Sequence, residues 1–257
     1  MRKDRTGTMS ILPGPALFLL ALAVYFVTLS SGAYPGESST LVARHSGLVP
    51  LLMPSHPLWS GFVRLLAWIP VGGLAFKLNL FSAVCGALAV WLLYAVVRNA
   101  IFNVIDKDAV NAKGALWSAV LGGFVSAVVF AFCVPFWCVS NRAHTASFDI
   151  LLLLSCAWLF ERYVFAGGRS VLLIFAFLSG IGCAEFATFI VFAPLFWLAL
   201  VYFMMQHGHL RAGPAAGVVA LGLAGLLMYV IAAVAFAGSD GYRLAGYNSV
   251  PHVLWLT

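Results

Sequence analysis

Long apolar runs, bounded by basic and turn residues, leave this chain very few folds. Seven segments qualify as helical spans: 11–31, 77–101, 116–139, 147–165, 170–184, 188–206 and 215–237. A hydrocarbon core of about 30 Å calls for roughly 20 residues of helix, and within lipid each backbone polar group must be satisfied inside its own segment. Period-two alternation is absent and the runs are too long for barrel strands, so helices are the remaining solution. The fifth segment is short and is expected to tilt or stop partway. Composition agrees: 63% of the residues are hydrophobic and 9% charged, whereas a soluble domain carries about 25% charged residues. The expected fold class is an all-α polytopic membrane protein with about seven transmembrane helices, forming one module over 1–257.

Charge then sets orientation. With the N-terminus inside, Arg2, Lys3, Arg5, Arg98, Lys107, Lys113, Arg162, Arg169 and Arg211 collect on the cytoplasmic side. Arg44, Arg64, Lys77, Arg142 and Arg243 fall outside. Basic residues favour the cytoplasmic face, so this distribution predicts a cytoplasmic N-terminus. The net charge of +6 is spread over span ends, with no basic patch interleaved with aromatics, and gives no reason to expect a nucleic-acid partner. Residues 31–33 offer a signal-peptidase-like site, but the first apolar run exceeds the usual h-region of about 7–15 residues, and retention fits better. Five cysteines lie in or beside apolar segments without zinc-ligand or disulfide spacing. No cofactor or metal is indicated.

The segment 32–76 forms a long first outer loop. Ser38 and Ser39 can cap a short helix over 40–46. Pro50, Pro54 and Pro57 then break the chain. From Pro57 onward Leu58, Trp59, Phe62, Leu65, Leu66 and Ile69 form one helical stripe, with proline suited to the first helical position. Trp59 and Trp68 belong at headgroup depth, so 58–69 reads as an interfacial helix lying on the outer leaflet.

Eight carboxylates occur in the chain. Asp4, Asp106, Asp108 and Glu161 map to the cytoplasmic side beside basic neighbours. Glu37, Asp149, Glu185 and Asp240 map to the outer side, where Arg44, Arg142, His45, His56 and His144 also lie. Ionisable groups at span ends usually face a bundle interior or a wet cavity. Taken singly, a loop glutamate is most often a solvated side chain, and Asp149 could be a buried pair that fixes helix packing. The convergence of several such groups on one face is the stronger signal.

Three segments carry a family resemblance. Tyr34-Pro-Gly-Glu-Ser-Ser-Thr-Leu-Val-Ala-Arg, Ser55-His-Pro-Leu-Trp and Ala75-Phe-Lys-Leu-Asn-Leu-Phe-Ser-Ala-Val resemble the bacterial protein O-mannosyltransferase-like membrane family. Asn141-Arg-Ala-His-Thr and Gly180-Ile-Gly-Cys-Ala-Glu-Phe-Ala-Thr are weaker echoes at helix tops. The resemblance implies a GT-C-type membrane glycosyltransferase fold in a bacterial inner membrane. It also implies transfer of a sugar from a polyprenyl-phosphate donor to a protein or glycan acceptor on the extracytoplasmic side. Glu37 occupies the place of the expected catalytic base. Arg44, Lys77 or Arg142 would serve the leaving phosphate, and His56, Asn79, His144, Asp149 and Glu185 would contact substrate. The chain departs from the pattern where a second acid is replaced by Thr40, where a histidine aligns with Leu52, and where an Asn-His pair reads Glu185-Phe186. Those losses favour an alternative, a catalytically degenerate protein that binds lipid-linked sugar or scaffolds an envelope assembly. Members of that family also continue past the seventh span, which makes the chain the expected N-terminal part of a longer protein. A transporter ranks last, because the charges lie toward one face and no internal repeat is visible.

Overall fold

A computed structural model of the chain describes residues 13–49, 56–105 and 112–237. Within them it is all helix: α1 (Pro13–Val27), α2 (Glu37–His45), α3 (Pro57–Ala67), α4 (Leu74–Val104), α5 (Ala112–Phe132), α6 (Val134–Ser140), α7 (Ala146–Ala166), α8 (Arg169–Glu185), α9 (Ala187–Gln206) and α10 (Ala212–Ala237). Leu52, Pro50, Pro54, Asp4, Asp106, Asp108, Asp240 and Arg243 lie outside the described residues, as do the basic groups at positions 2, 3, 5 and 107.

The protein is a helical membrane protein. Helices α4, α5, α9 and α10 are long and apolar enough to cross a bilayer, and α1 is a shorter apolar helix. Two other expected spans are less clear-cut. α8 has 17 residues, and α7, although it has 21, carries Asp149, Glu161 and Arg162. The outward faces are apolar as well: Leu195, Leu198, Leu223 and Ile231 are each more than half exposed. In water such a surface would associate, whereas lipid tails accept it.

One expected span is two helices. The sequence predicts a helix through 116–139, but α5 ends at Phe132 and α6 starts at Val134. The cause is Pro135, which has no N–H for the carbonyl of Ala131 and whose ring would collide with that carbonyl in a continuous helix. Cys133 is extended (φ −67°, ψ 129°) and redirects the chain. The carbonyl left over is not wasted, since Tyr25 donates its hydroxyl to Ala131 O at 2.9 Å. Tyr25 is fully buried. Tyr25→Phe is therefore expected to lower stability by about 1–3 kcal/mol, the cost of orphaning a buried acceptor. Thermal unfolding in detergent reads it, and an unchanged transition would contradict the assignment.

The chain divides into two compact units: residues 1–33 with 79–158, and residues 34–78 with 159–257. The first packs α1, α5, α6 and most of α4 around Leu17, Ala21, Tyr25, Val90, Tyr94 and Phe136. α5 buries Ala115, Ala119, Gly123, Ala127 and Ala131, a small residue at every fourth position. Such stripes let helix backbones come close where no hydrophobic effect separates helix from lipid.

The second unit contains α2, α3, α8, α9 and α10. Its tightest contact is α8 against α10, where a Cβ on Gly180 would overlap the Gly222 carbonyl and a Cβ on Gly225 would overlap that of Phe177. In the same unit Phe160, Phe175, Phe189 and Phe196 form a connected aromatic run. The loop helices α2 and α3 thus belong to the same unit as the last three helices.

Candidate functional site

The loop between α1 and α4 begins with a turn that only glycine adopts easily. Gly36 has φ +95° and is the N-cap of α2. Glu37 follows at once in the first turn, three residues before the expected start of the helix. Ser38 and Ser39 are therefore inside the helix and do not cap it by their side chains. Ser38 is buried, and its hydroxyl accepts the N–H of Tyr34 at 3.4 Å, while Ser39 donates to Gly36 O at 2.7 Å. A carboxylate in the first turn also matches the positive end of the helix dipole. Glu37, Thr40 and Arg44 are exposed. They stand at i, i+3 and i+7, so they share one face of α2. The opposite face carries Ser38, Leu41, Val42 and His45, which are buried or half-buried.

α3 is held at both ends by side chains from elsewhere in its unit. Its N-cap, His56, makes no side-chain cap bond, and Pro57 at the first helical position has no N–H to satisfy. The next two amides, Leu58 and Trp59, donate to the two carboxylate oxygens of Glu185 at 2.7 and 2.8 Å. The Ser60 amide then donates to His56 O. Every N–H of the first turn is accounted for, which a buried helix start requires. At the other end Lys77 donates its ammonium to Ile69 O at 2.5 Å and to Ala67 O at 3.4 Å. An anion at the N-terminus and a cation at the C-terminus both complement the helix dipole. Two residues expected to contact substrate are thus engaged in fixing α3. Glu185 is fully buried at the last position of α8.

α2 rests on α3 through His45, whose ring meets Trp59 edge-on at 5.5 Å. Burial pulls the His45 imidazole down to about 4, and the Arg64 and Arg44 guanidiniums nearby push the same way. Unfolded histidine titrates near 6.5. Between those values the unfolded chain binds a proton that the native loop does not, so stability falls as pH drops through about 6.5 to 4 and is flat above that window. Amide exchange in α2, corrected for intrinsic rates, is expected to quicken over that range in the native protein and not in His45→Gln. Equal protection at both pH values would contradict the buried, neutral imidazole.

The remaining candidates lie in the first unit. Asn79 is fully buried. Its amide nitrogen donates to Ser30 O at 2.7 Å and Gly32 O at 3.0 Å, and its oxygen accepts the Ala143 N–H at 2.7 Å. One side chain therefore ties the exit of α1 to the turn between α6 and α7. In the same turn His144 accepts the Ala146 N–H at Nδ1, and its backbone exchanges bonds with the Ser82 hydroxyl. Arg142 is half-buried, and Asp149 is buried in the first turn of α7. The structure thus gathers Glu37, Arg44, His56, Lys77 and Glu185 in one unit, and Asn79, Arg142, His144 and Asp149 in the other. Sequence reasoning gave no role to Ser82, Ser60 or Arg64. For Ser82 the only signal was its place in the Asn-Leu-Phe-Ser segment.

These features define an apolar helical bundle with a structured, braced loop that presents one exposed carboxylate and one exposed guanidinium on a common face. Comparison with known proteins makes the class specific. Residues 52–210 match the family described as the protein O-mannosyl-transferase TMEM260 N-terminal domain, and the chain belongs to that family. The protein O-mannosyl-transferase TMEM260 of Mus musculus is 26% identical over 220 residues, an overlap of 84% of this chain and 29% of the mouse protein. The chain therefore spans less than a third of the length of that relative. No solved structure matches it. The matched segment contains His56, Lys77, Asn79, Arg142, His144, Asp149 and Glu185, while Glu37 and Arg44 precede it. The family shown is the protein O-mannosyl-transferase TMEM260 one, and the comparisons do not extend to the bacterial membrane family that the motifs resemble.

Proposed function

We propose that this chain is part of a membrane glycosyltransferase that passes a sugar, mannose in the simplest case, from a polyprenyl-phosphate donor to an acceptor hydroxyl on the extracytoplasmic side. In this reading α1, α4, α5 with α6, α7, α8, α9 and α10 make seven crossings of GT-C type, with the N-terminus cytoplasmic. Glu37 is the base that removes the acceptor proton as the anomeric carbon is attacked. Arg44, on the same face of α2, stabilises the departing phosphate. The observation that carries the reading is the exposed Glu37 carboxylate, held at the start of α2 by the Gly36 turn in a loop braced by Glu185 and Lys77. Asn79 and Glu185 act through backbone positioning, and Arg142, His144 and Asp149 are candidates for sugar contacts.

The test is transfer by the full-length protein in vesicles supplied with mannosyl polyprenyl phosphate and a peptide acceptor. Product formation supports the reading. Thr40, standing where the family pattern has a second acid, favours the rival of a degenerate protein that binds lipid-linked sugar without turnover. Saturable donor binding with no product under conditions where a protein O-mannosyl-transferase is active would select that rival.

A further inference from the structure

Among the described residues, the faces of α3 and α10 enclose a groove of about 170 Å³ that the proposed transfer reaction does not use. Its α3 side is made of Pro57, Ser60, Gly61 and Arg64, spaced at i, i+3, i+4 and i+7. Its α10 side is Met228, Ile231, Ala232 and Ala235, spaced in the same way. One wall is therefore wholly apolar, and the other ends in a hydroxyl and a guanidinium one turn apart. Ser60 is 1% exposed, and its hydroxyl has no hydrogen-bond partner although it lines the groove. A buried hydroxyl left without a partner costs about 1–3 kcal/mol, so native proteins normally give it one. Arg64 is exposed on the same face, and Arg44 lies close enough that both guanidiniums act on His45.

The surroundings indicate what fills such a groove. The groove stripe of α3 runs on into Trp68 and is flanked by Leu65 and Ile69, each 46% exposed or more, while Trp59 and Val63 on the far side are buried in the unit. A helix apolar both toward its own unit and away from it lies in lipid. The groove's occupant must therefore be a molecule at the bilayer surface with a hydrocarbon chain for α10 and an anion for Ser60 and Arg64. Among the described residues the lining offers no carboxylate, amide or aromatic platform to grip a sugar.

We infer that this groove is a binding site for a phospholipid of the surrounding bilayer, its phosphodiester held by Ser60 and Arg64 and one acyl chain lying along α10. The seated lipid completes the polar end of α3 and pins that helix to the membrane surface. The inference is independent of the role given to Glu37.

Gly61 supplies a clean probe. A Cβ there would meet nothing within 4 Å, so a side chain can start at this position and Gly61→Leu obstructs the groove. Native mass spectrometry of the full-length protein, extracted from phosphatidylglycerol vesicles, reads the bound lipid. The unaltered protein is expected to retain one phosphatidylglycerol, with retention at least tenfold weaker in Gly61→Leu and several-fold weaker in Ser60→Ala and Arg64→Gln, a tenfold change being about 1.4 kcal/mol. Glu37→Gln should retain the lipid fully, so loss of transfer and loss of lipid are separable results. Equal retention in all the groove variants would overturn the inference. Displacement by inorganic phosphate alone would also overturn it, because the acyl chain would then contribute nothing. Stoichiometric displacement by polyprenyl phosphate would overturn it in favour of a donor site.

Discussion

Glu37→Gln is expected to slow sugar transfer by about 10²–10⁴-fold, the usual contribution of a positioned general base. The amide keeps the shape of the carboxylate and cannot take the acceptor proton. Because Glu37 is exposed in the first turn of α2, the loss of its dipole interaction costs only about 0.3–1 kcal/mol, and the loop should stay folded. Donor binding should be unchanged, so the loss belongs to kcat. Glu37→Asp, which keeps the charge but draws it back by one methylene, should retain part of the rate. Transfer by Glu37→Gln at the rate of the unaltered protein would remove the base from the mechanism and leave the structured loop without its proposed purpose.

Glu185→Ala is expected to be the most damaging single change to the structure. It strands the buried Trp59 amide and the half-buried Leu58 amide, which now donate to the carboxylate at 2.8 and 2.7 Å. Hydrogen bonds to charged groups contribute about 1.5–3 kcal/mol each, and buried donors left unpaired cost about 1–3 kcal/mol. The two lost bonds together give a net loss of about 3–5 kcal/mol. The damage should be local. Amide exchange should rise across α3, and through the His45–Trp59 contact across α2, before α9 or α10 responds. Glu185→Gln should fall between, since its amide oxygen can accept one N–H while its NH₂ faces the other donor. Lys77→Met removes only the exposed C-terminal contacts and should do less. A Glu185→Ala protein with α3 protected as in the unaltered chain would refute the brace.

The helices were legible because apolar runs with basic or turn residues at their ends have one physical solution in lipid. The stripe after Pro57 located α3 almost to the residue for a similar reason, since its inward and outward faces recur at helical spacing. Local chemistry misled at two points. Pro135 lay in a run apolar enough to read as one span, although the missing N–H at that position splits it. Ser38 and Ser39 resemble caps, but Gly36, which alone takes the positive φ easily, starts α2 earlier.

The site was only half legible. The sequence picked out Glu37 by its position after the first span, and Glu185 and Asn79 as polar residues at helix tops. What it could not give was their partners. Glu185 closes on an amide 126 residues away, and Asn79 on carbonyls 49 and 47 residues back and an amide 64 residues on. Such pairings depend on packing and leave no periodic trace. Through them Glu185 and Asn79 support the loop and the helix tops. The division into two units is invisible for the same reason, because two of its three boundaries fall inside α4 and α7.

The central claim is that Glu37 stands in water on the extracytoplasmic side of the membrane. Side-specific labelling tests it most directly: Glu37→Cys in a full-length background with the native cysteines replaced, exposed in intact cells to a membrane-impermeant maleimide. The account predicts rapid labelling at position 37 from outside, without permeabilisation. Labelling only after the cytoplasmic face is opened would contradict it.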